Sequence, residues 1–153
     1  MHLNINSKFL LKPNLEASLK VNKRMDCNVA ILKLFPGIAK PILEAVLTSK
    51  LIKGLVIETY GSGNATTEIW FIELLKKAIK RGVHIINVTQ CSGGSVNMGQ
   101  YETSSQLKSI GVISGKDLTT EAAITKLMYL IGQNINPLEF RSIYETSLRG
   151  EMS

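Results

Sequence analysis

The sequence lacks the features of a membrane, secreted or disulfide-linked protein. No apolar run approaches the roughly 20 residues that a helix needs to cross a bilayer, and the first residues, MHLNINSKFLLKPN, lack the apolar core of a secretion signal. Cysteine is scarce: Cys27 and Cys91 are the only two among 153 residues, without a CxxC pair or a histidine at metal-ligand spacing. We therefore expect a cytoplasmic protein with two free thiols, no metal, no cofactor and no membrane partner.

The chain also lacks a dense block of one charge. Its 18 lysines and arginines outnumber its 12 aspartates and glutamates, which gives a formal net charge of +6. Such an excess would suit a nucleic-acid partner if the cations were clustered. The lysines are instead dispersed from Lys8 to Lys126, and no arginine-aromatic motif of a single-strand binder occurs. We expect a solvated basic surface and no nucleic-acid partner.

What the sequence does contain is an alternation of short apolar runs and helical patterns. The runs are rich in β-branched residues without polar alternation, which predicts strands covered on both faces, as in a parallel sheet. They are Asn28–Phe35, Lys53–Tyr60, Val83–Gln90 and the weaker Gly111–Gly115. Helical periodicity follows in Ile38–Lys50, Thr66–Gly82, Thr119–Gln133 and Pro137–Leu148. The alternation predicts an α/β fold, a three-layer α/β/α domain with a mostly parallel four-stranded sheet.

Two helical segments carry more specific expectations. In the second, Ile69, Ile72, Leu75 and Ile79 recur at helical spacing, and the preceding Thr66 and Thr67 are hydroxyl residues suited to a helix start. Asp117, Thr119, Thr120 and Glu121 precede or begin the third helix. A threonine-aspartate catalytic pair is one interpretation of these four, but a hydroxyl cap followed by an acidic first turn explains them more simply.

The first 27 residues do not continue the strand-helix alternation. Apolar residues alternate around Leu15, Ala17, Leu19 and Val21, which predicts either an edge strand or a linker. Because the chain begins in the middle of a pattern, we expect residues 1–27 to be a linker or edge strand from a missing N-terminal domain. Residues 28–153 would then form one domain.

Three loops should gather at the carboxyl edge of the sheet, where ligands usually bind. In the second loop, Gly61-Ser62-Gly63-Asn64 suits either an anion site or a tight turn, although neither the dinucleotide fingerprint nor the P-loop pattern is complete. In the third loop, Cys91 lacks a nearby base, since His84 lies seven residues back along a strand. This arrangement favours a partly buried thiol that lines a pocket over a nucleophile.

Taken in order, these segments resemble the C-terminal domain of the bacterial-type L-asparaginases, and specifically the cytoplasmic type I branch. The matching stretches, which cover nearly everything from Leu34 onward, are FPGI (35–38), GLVIETYGSGNA (54–65), RGVHIINVTQCSGGSVNMGQY (81–101), GVISGKDLTTEAAITKLMYLIGQ (111–133) and LRGEM (148–152). The resemblance implies two-domain subunits that hydrolyse L-asparagine to L-aspartate and ammonia through a threonine nucleophile. That threonine belongs to a TGGT-type loop of the N-terminal domain, and neither TGGT nor DGTD occurs here. We therefore expect no catalytic residue in this chain and no activity from the chain alone.

The resemblance also implies roles for particular residues. Within a homodimer or dimer of dimers, Asn64 matches the asparagine that lies close to the partner's active site. Glu58, Thr89, Gln90 and Cys91 match positions of a second site, where type I enzymes bind asparagine as an effector. Some type I members have arginine at the position of Glu58; a glutamate would repel the effector's carboxylate and hold its ammonium group instead.

Two alternatives remain open at this point. One is the asparaginase-like subunit of the archaeal transfer-RNA amidotransferases, although the chain has no additional basic RNA-binding segment. The other is a stand-alone amino-acid-binding module that keeps the effector pocket without an enzyme. Binding of asparagine by the isolated chain would distinguish the second alternative.

Overall fold

Strands and helices alternate along the chain as the apolar periodicity predicts. The structure is a computed structural model and describes residues 10, 12, 15–16, 18–99 and 102–153, the side chain of residue 102 excepted. In chain order the elements are β1 (Val29–Lys33), α1 (Lys40–Leu47), β2 (Gly54–Thr59), α2 (Ile69–Lys80), β3 (His84–Thr89), α3 (Glu102–Ser109), β4 (Ile113–Ser114), α4 (Thr120–Gly132) and α5 (Pro137–Tyr144). None of the helices within these described ranges is long and apolar enough to span a bilayer.

The four strands form one parallel sheet in the order β1-β2-β3-β4. The pairing of β2 with β3 runs from Gly54 opposite His84 to Thr59 opposite Thr89. Because crossovers between parallel strands are right-handed, three successive crossovers in one direction place their helices on the same face of the sheet. The helices α4 and α5, which follow the last strand, cover the other face. The prediction of an α/β fold with a four-stranded sheet is confirmed, and the sheet is entirely parallel.

Each face of the sheet carries its own apolar core. Leu55 and Ile57 of β2 belong to the cluster that includes Phe71 of α2, whereas Val56 belongs to the cluster that includes Leu127 of α4. Successive side chains of a strand point to opposite faces, so one strand contributes to both cores. This arrangement explains why the strand sequences are continuously apolar.

The helix boundaries differ from the sequence prediction at α2. The helix begins at Ile69, and its N-cap residue Glu68 makes no side-chain cap. The Thr66 hydroxyl accepts from the N–H of Glu68 at 3.3 Å, before the helix begins. Ile69, at the first position of the helix, is 81% exposed. The fully buried side of α2 is formed by Phe71, Leu74, Leu75 and Ala78; of the predicted stripe, Leu75 is fully buried and Ile72 and Ile79 pack partly buried against the same core. At α4 the expected hydroxyl cap is present, since the Thr119 side chain accepts a hydrogen bond from the N–H of Ala122 at 3.2 Å.

The periodicity did not reveal α3. Its sequence, ETSSQLKS, is polar, and Leu107 is the one fully buried apolar side chain that it contributes to the core among the described residues. A single apolar anchor produces no repeating stripe, which is the signal that predicts amphipathic helices.

Residues 18–28 form neither helix nor strand and lie along α4. The N–H of Asp26 donates to the carbonyl of Met128, and the side chains of Asn22 and Gln133 donate to the Tyr129 hydroxyl and the Arg24 carbonyl, each at 3.0 Å. Of the two predicted alternatives, the edge strand is not formed in residues 18–28, while Ala17 lies outside the described residues. The division of the chain at residue 27 stays a prediction.

A buried lysine attaches the last residues to α4. The Lys126 side chain is 4% exposed, and its Nζ lies 2.6 Å from Glu151 Oε1 and 2.6 Å from the carbonyl of Thr146. Burial raises the pKa of the Glu151 carboxyl, but the hydrogen bonds from Lys126 and from the N–H groups of Leu148 and Arg149 outweigh it and lower the pKa to about 2. The C-terminal segment is thus held by an ion pair with satisfied hydrogen bonds.

Replacing Glu151 by glutamine should leave Lys126 buried without its counter-charge, at a cost of about 3 kcal/mol in the free energy of unfolding near neutral pH. Because the folded pKa of Glu151 lies below its ordinary value of 4.5, the ion's contribution is complete above that value and is lost as pH falls toward about 2. Urea denaturation of wild type and Glu151→Gln at neutral pH and at about pH 3 measures both effects. The double variant Lys126→Met/Glu151→Gln is the control, and equal instability of the single and double variants would contradict the ion-pair explanation.

Candidate functional site at the carboxyl edge of the sheet

Loops from three neighbouring strands meet at the carboxyl edge of the sheet, as expected for parallel strands. Gln90, which directly follows β3, donates from its side-chain amide to the carbonyls of Leu34 at 2.7 Å and Glu58 at 2.9 Å. The loop after β3 also contacts the loop after β2, since the N–H of Asn97 donates to the carbonyl of Ser62 at 3.0 Å. The ends of β1, β2 and β3 are therefore joined by hydrogen bonds as well as by the sheet ladder.

The Gly-Ser-Gly-Asn sequence forms a tight turn. Tyr60 and Asn64 exchange two backbone hydrogen bonds, each of 2.8 Å. Gly61 (φ +49°) and Gly63 (φ +106°) adopt left-handed conformations that favour glycine. The N–H groups of Gly63 and Asn64 both donate to the Tyr60 carbonyl, and residues 65–68 separate the turn from α2. The turn interpretation is therefore correct, and the geometry does not support an anion cradle.

The turn is anchored to the sheet by Asn87, a residue that the sequence interpretation missed. Asn87 is fully buried; its Oδ1 accepts from the Thr59 hydroxyl at 2.6 Å, and its Nδ2 donates to the Gly63 carbonyl at 3.0 Å. A Cβ on Gly63 would lie 2.7 Å from Cγ1 of Val96 and 3.2 Å from Nδ2 of Asn87, so glycine also permits this close approach. The available signal was a polar residue between apolar neighbours in the middle of the strand HIINVT.

Thr89 provides a second anchor for the turn. Its hydroxyl donates to the Gly61 carbonyl and accepts from the N–H of Cys91 at 3.0 Å. One hydroxyl thus links the loop after β2 to the loop after β3.

The Asn64 side chain faces the start of α3. Its Oδ1 accepts a hydrogen bond of 2.9 Å from the hydroxyl of Thr103, 39 residues further along the chain. The half-buried Asn64 is thereby held both through its backbone in the turn and through its side chain. Positions 100 and 101, which complete the loop before α3, lie outside the described residues.

Glu58 points away from this cluster. Side chains alternate along β2, so Glu58 faces the α4 layer while Thr59 faces the opposite layer. One carboxylate oxygen of Glu58 accepts from the Thr120 hydroxyl at 2.6 Å, and the other lies 3.6 Å from Lys33 Nζ, with the side chain 14% exposed. The carboxylate therefore already has a hydrogen-bond donor and a counter-charge.

The four predicted effector residues consequently occupy two neighbourhoods. Gln90 reaches the backbone carbonyl of Glu58, whereas Thr89 bonds to the turn and to the backbone of Cys91. Cys91 is exposed, which corrects the expectation of a partly buried thiol. His84 at the other end of β3 stacks on Phe140 with ring centroids 3.6 Å apart, and burial lowers the pKa of its imidazole. It supplies no base to Cys91.

The side chains of Asp117, Thr119 and Thr120 make hydrogen bonds that stabilise the fold. The Asp117 carboxylate accepts from the N–H of Ser153 at 3.0 Å, Thr119 caps α4, and Thr120 bonds to Glu58. This distribution supports the helix-start interpretation rather than a catalytic pair. Within the part of the chain that the structure describes, both cysteines are free, and no group of three or more His, Cys, Asp or Glu side chains is placed to hold a metal ion.

The family of the chain follows from comparison with known proteins. Residues 28–144 match the family model of the glutaminase/asparaginase C-terminal domain. The chain belongs to this family. It is 36% identical over 141 residues to L-asparaginase 1 of Escherichia coli K12, a match that covers 92% of this chain and 41% of that protein. The resemblance to a type I asparaginase C-terminal domain is thus confirmed.

Other members of the family carry the same domain in different proteins. The chain is 39% identical to the human 60 kDa lysophospholipase, covering 99% of this chain and 26% of that one. It is 34% identical to a glutamyl-tRNA(Gln) amidotransferase polypeptide from Saccharolobus islandicus, covering 87% and 29%. The crystal structure of L-asparaginase I from Vibrio cholerae superposes with a TM-score of 0.84 at 38% identity, covering 90% and 41%. This asparaginase domain therefore spans less than half the length of each of these relatives.

Removing the Asn87 anchor should loosen the turn that carries Asn64. Asn87→Ala leaves the Thr59 hydroxyl and the Gly63 carbonyl without their buried partner, so we expect a loss of about 2 to 3 kcal/mol in the free energy of unfolding. Amide hydrogen exchange at residues 61–64 should accelerate as well. Asn97→Ala, the same change at an exposed position, is the matched control. Unchanged stability and exchange in Asn87→Ala would show that the anchor is dispensable.

Proposed function

We propose that the chain is the C-terminal domain of a two-domain, cytoplasmic type I L-asparaginase. In this proposal the upstream domain hydrolyses L-asparagine to L-aspartate and ammonia without a cofactor. The asparaginase domain supplies contacts for a homodimer, or dimer of dimers, and presents Asn64 to the partner's active site. The observation that carries the proposal is a polar amide, hydrogen-bonded through both its backbone and its side chain, at the edge of the sheet where ligands of parallel α/β proteins bind.

The surroundings of Asn64 are suited to contact with another polypeptide. Phe35, in the loop after β1, is 51% exposed, and Ile69, at the start of α2, is 81% exposed. Both lie at the same edge as the Asn64 turn. Apolar side chains exposed around a polar group are typical of protein interfaces.

The described threonines near the edge support the assignment of the chemistry to another domain. The hydroxyls of Thr59, Thr89 and Thr120 bond to Asn87, to the Gly61 carbonyl and to Glu58. A nucleophilic hydroxyl needs a base within hydrogen-bond reach. The acceptors of Thr59 and Thr89 are an amide oxygen and a backbone carbonyl, which are not bases, and the Glu58 carboxylate that accepts from Thr120 is also paired with Lys33.

Activity should therefore require the upstream domain. We expect no ammonia release from asparagine by the 153-residue chain, and ammonia release by the same chain extended upstream by its genomic coding sequence. In the extended protein, Asn64→Ala should lower kcat/KM on the order of 10²-fold if the amide supplies an oriented hydrogen bond in the site, while Asn97→Ala should have no effect. Hydrolysis by the short chain would place the nucleophile among its own threonines or Cys91. Full activity of Asn64→Ala would remove the proposed role of Asn64.

Asparagine as an effector forms a separate part of the proposal. In the assembled protein the carboxylate of Glu58 would hold the effector's ammonium group, and Thr89, whose side chain lies on the other face of the sheet, would have to reorient to share that site with Gln90 and Cys91. In the isolated chain, Glu58 is paired with Thr120 and Lys33, and Gln90 and Thr89 bond to backbone carbonyls. A ligand would have to displace these contacts.

Calorimetry of asparagine with the isolated chain should accordingly give no saturable heat. Saturable binding that is lost in Glu58→Ala would favour the stand-alone amino-acid-binding module. The amidotransferase alternative predicts that the protein works with a partner enzyme. It is tested by asking whether the extended protein releases ammonia from asparagine without a second enzyme. An extended protein that releases ammonia only with a partner synthase would support that alternative.

A further inference from the structure

We infer that Thr103 is a positioning residue for Asn64, and that together they present N–H donors to an oxygen acceptor across the interface. The acceptor would be a carboxylate or carbonyl oxygen of the bound amino acid or of the partner's active site. The inference rests on the proposed function of Asn64 and deepens it, since it states which end of the amide is used and what holds it in place.

The backbone of Asn64 has little freedom. Its N–H and carbonyl both bond to Tyr60, and the turn is anchored further by Asn87 and Thr89. What remains free in such a residue is rotation about its side-chain torsions. The hydroxyl of Thr103 removes that freedom by donating to Oδ1 at 2.9 Å. Locking the last rotatable group before binding avoids its entropic cost when the complex forms.

The donor itself lies on a fixed element. Thr103 is the second residue of α3, and the neighbouring Ser104 is fully buried and accepts from the N–H of Gly99 at 3.2 Å. Leu107, one turn later, is fully buried in the core beneath the helix. A site residue is held best by a group whose own position is fixed by packing and hydrogen bonds. The start of α3 meets this condition despite the polar sequence of the helix.

The direction of the hydrogen bond decides the chemistry that Asn64 offers. With Oδ1 engaged by Thr103, the Nδ2 group has no acceptor among the described residues, and no described buried side-chain nitrogen or oxygen lacks a partner. Its two N–H donors are therefore not used by any described residue. Such donors bind carboxylate or carbonyl oxygens and not ammonium groups. Glu58, which would take an ammonium group, faces the other layer.

The test uses the extended protein with Thr103→Val, which keeps the shape of the side chain and removes the hydroxyl, and Thr103→Ser, which keeps the hydroxyl. We expect Thr103→Val to lower kcat/KM about tenfold, the value of one hydrogen bond of ordinary strength, and Thr103→Ser to retain activity. Asn64→Asp, which replaces the donors by an acceptor, should lose at least as much as Asn64→Ala. In the Asn64→Ala background, Thr103→Val should cause no further loss, because the two residues act as one unit.

Several outcomes would overturn the inference. If Asn64→Ala impairs the enzyme but Thr103→Val does not, the proposed function stands and the positioning role fails. Additive losses in the double variant, or full activity of Asn64→Asp, would also contradict it.

Side-chain amide relaxation of Asn64, measured by NMR on the 153-residue chain, provides a readout independent of activity. The amide should be rigid in wild type and Thr103→Ser and mobile in Thr103→Val. Equal rigidity in all three would overturn the positioning role even if the proposed function failed for other reasons. Thermal unfolding of the three proteins checks that the variants are folded.

Discussion

The buried amide of Asn87 is the contact on which the carboxyl edge of this domain depends. It lies inside a strand, on the face that is otherwise apolar, and it satisfies both ends of its side chain, one with the hydroxyl of Thr59 and one with the carbonyl of Gly63. A buried amide without partners would be costly, whereas a fully satisfied one specifies a single arrangement. The hydrogen bond from Asn87 to Gly63 thereby holds the turn after β2 against β3.

The parallel sheet makes this anchoring possible. Thr59 and Thr89 are partners in the register of β2 and β3, and Asn87 is the partner of Ile57. Parallel strands in register bring their carboxyl ends to one edge, so side chains 28 residues apart, such as Thr59 and Asn87, become neighbours. From that edge the polar contacts extend outward through Thr89 to Gly61 and through Thr103 to Asn64. The two apolar cores fix the position of the sheet, and the polar contacts at its carboxyl edge fix the turn that carries Asn64.

The predicted site residues lie on opposite faces of the sheet. Because side chains alternate along a strand, the Glu58 side chain points to the α4 side, where it contacts Thr120 and Lys33. The Thr89 side chain points to the opposite face of the sheet. Proximity in sequence or membership in one motif does not bring side chains together when they alternate along a strand. The three consecutive residues of the TQC triplet thus make different contacts: Gln90 joins strand ends, Thr89 anchors a turn, and Cys91 lies exposed.

By itself, the sequence determined the class of fold, the four strands, four of the five helices within the described residues and the family, because continuous apolar runs and helical periodicity report burial locally. It did not reveal α3, whose single buried leucine leaves no periodic trace, nor the full buried side of α2, which depends on where the helix begins. The partners of Asn64, Asn87 and Glu58 were decided only by the tertiary structure. Hydrogen bonds between residues 24 to 62 positions apart depend on strand register and loop path, and these arise only when both cores have packed.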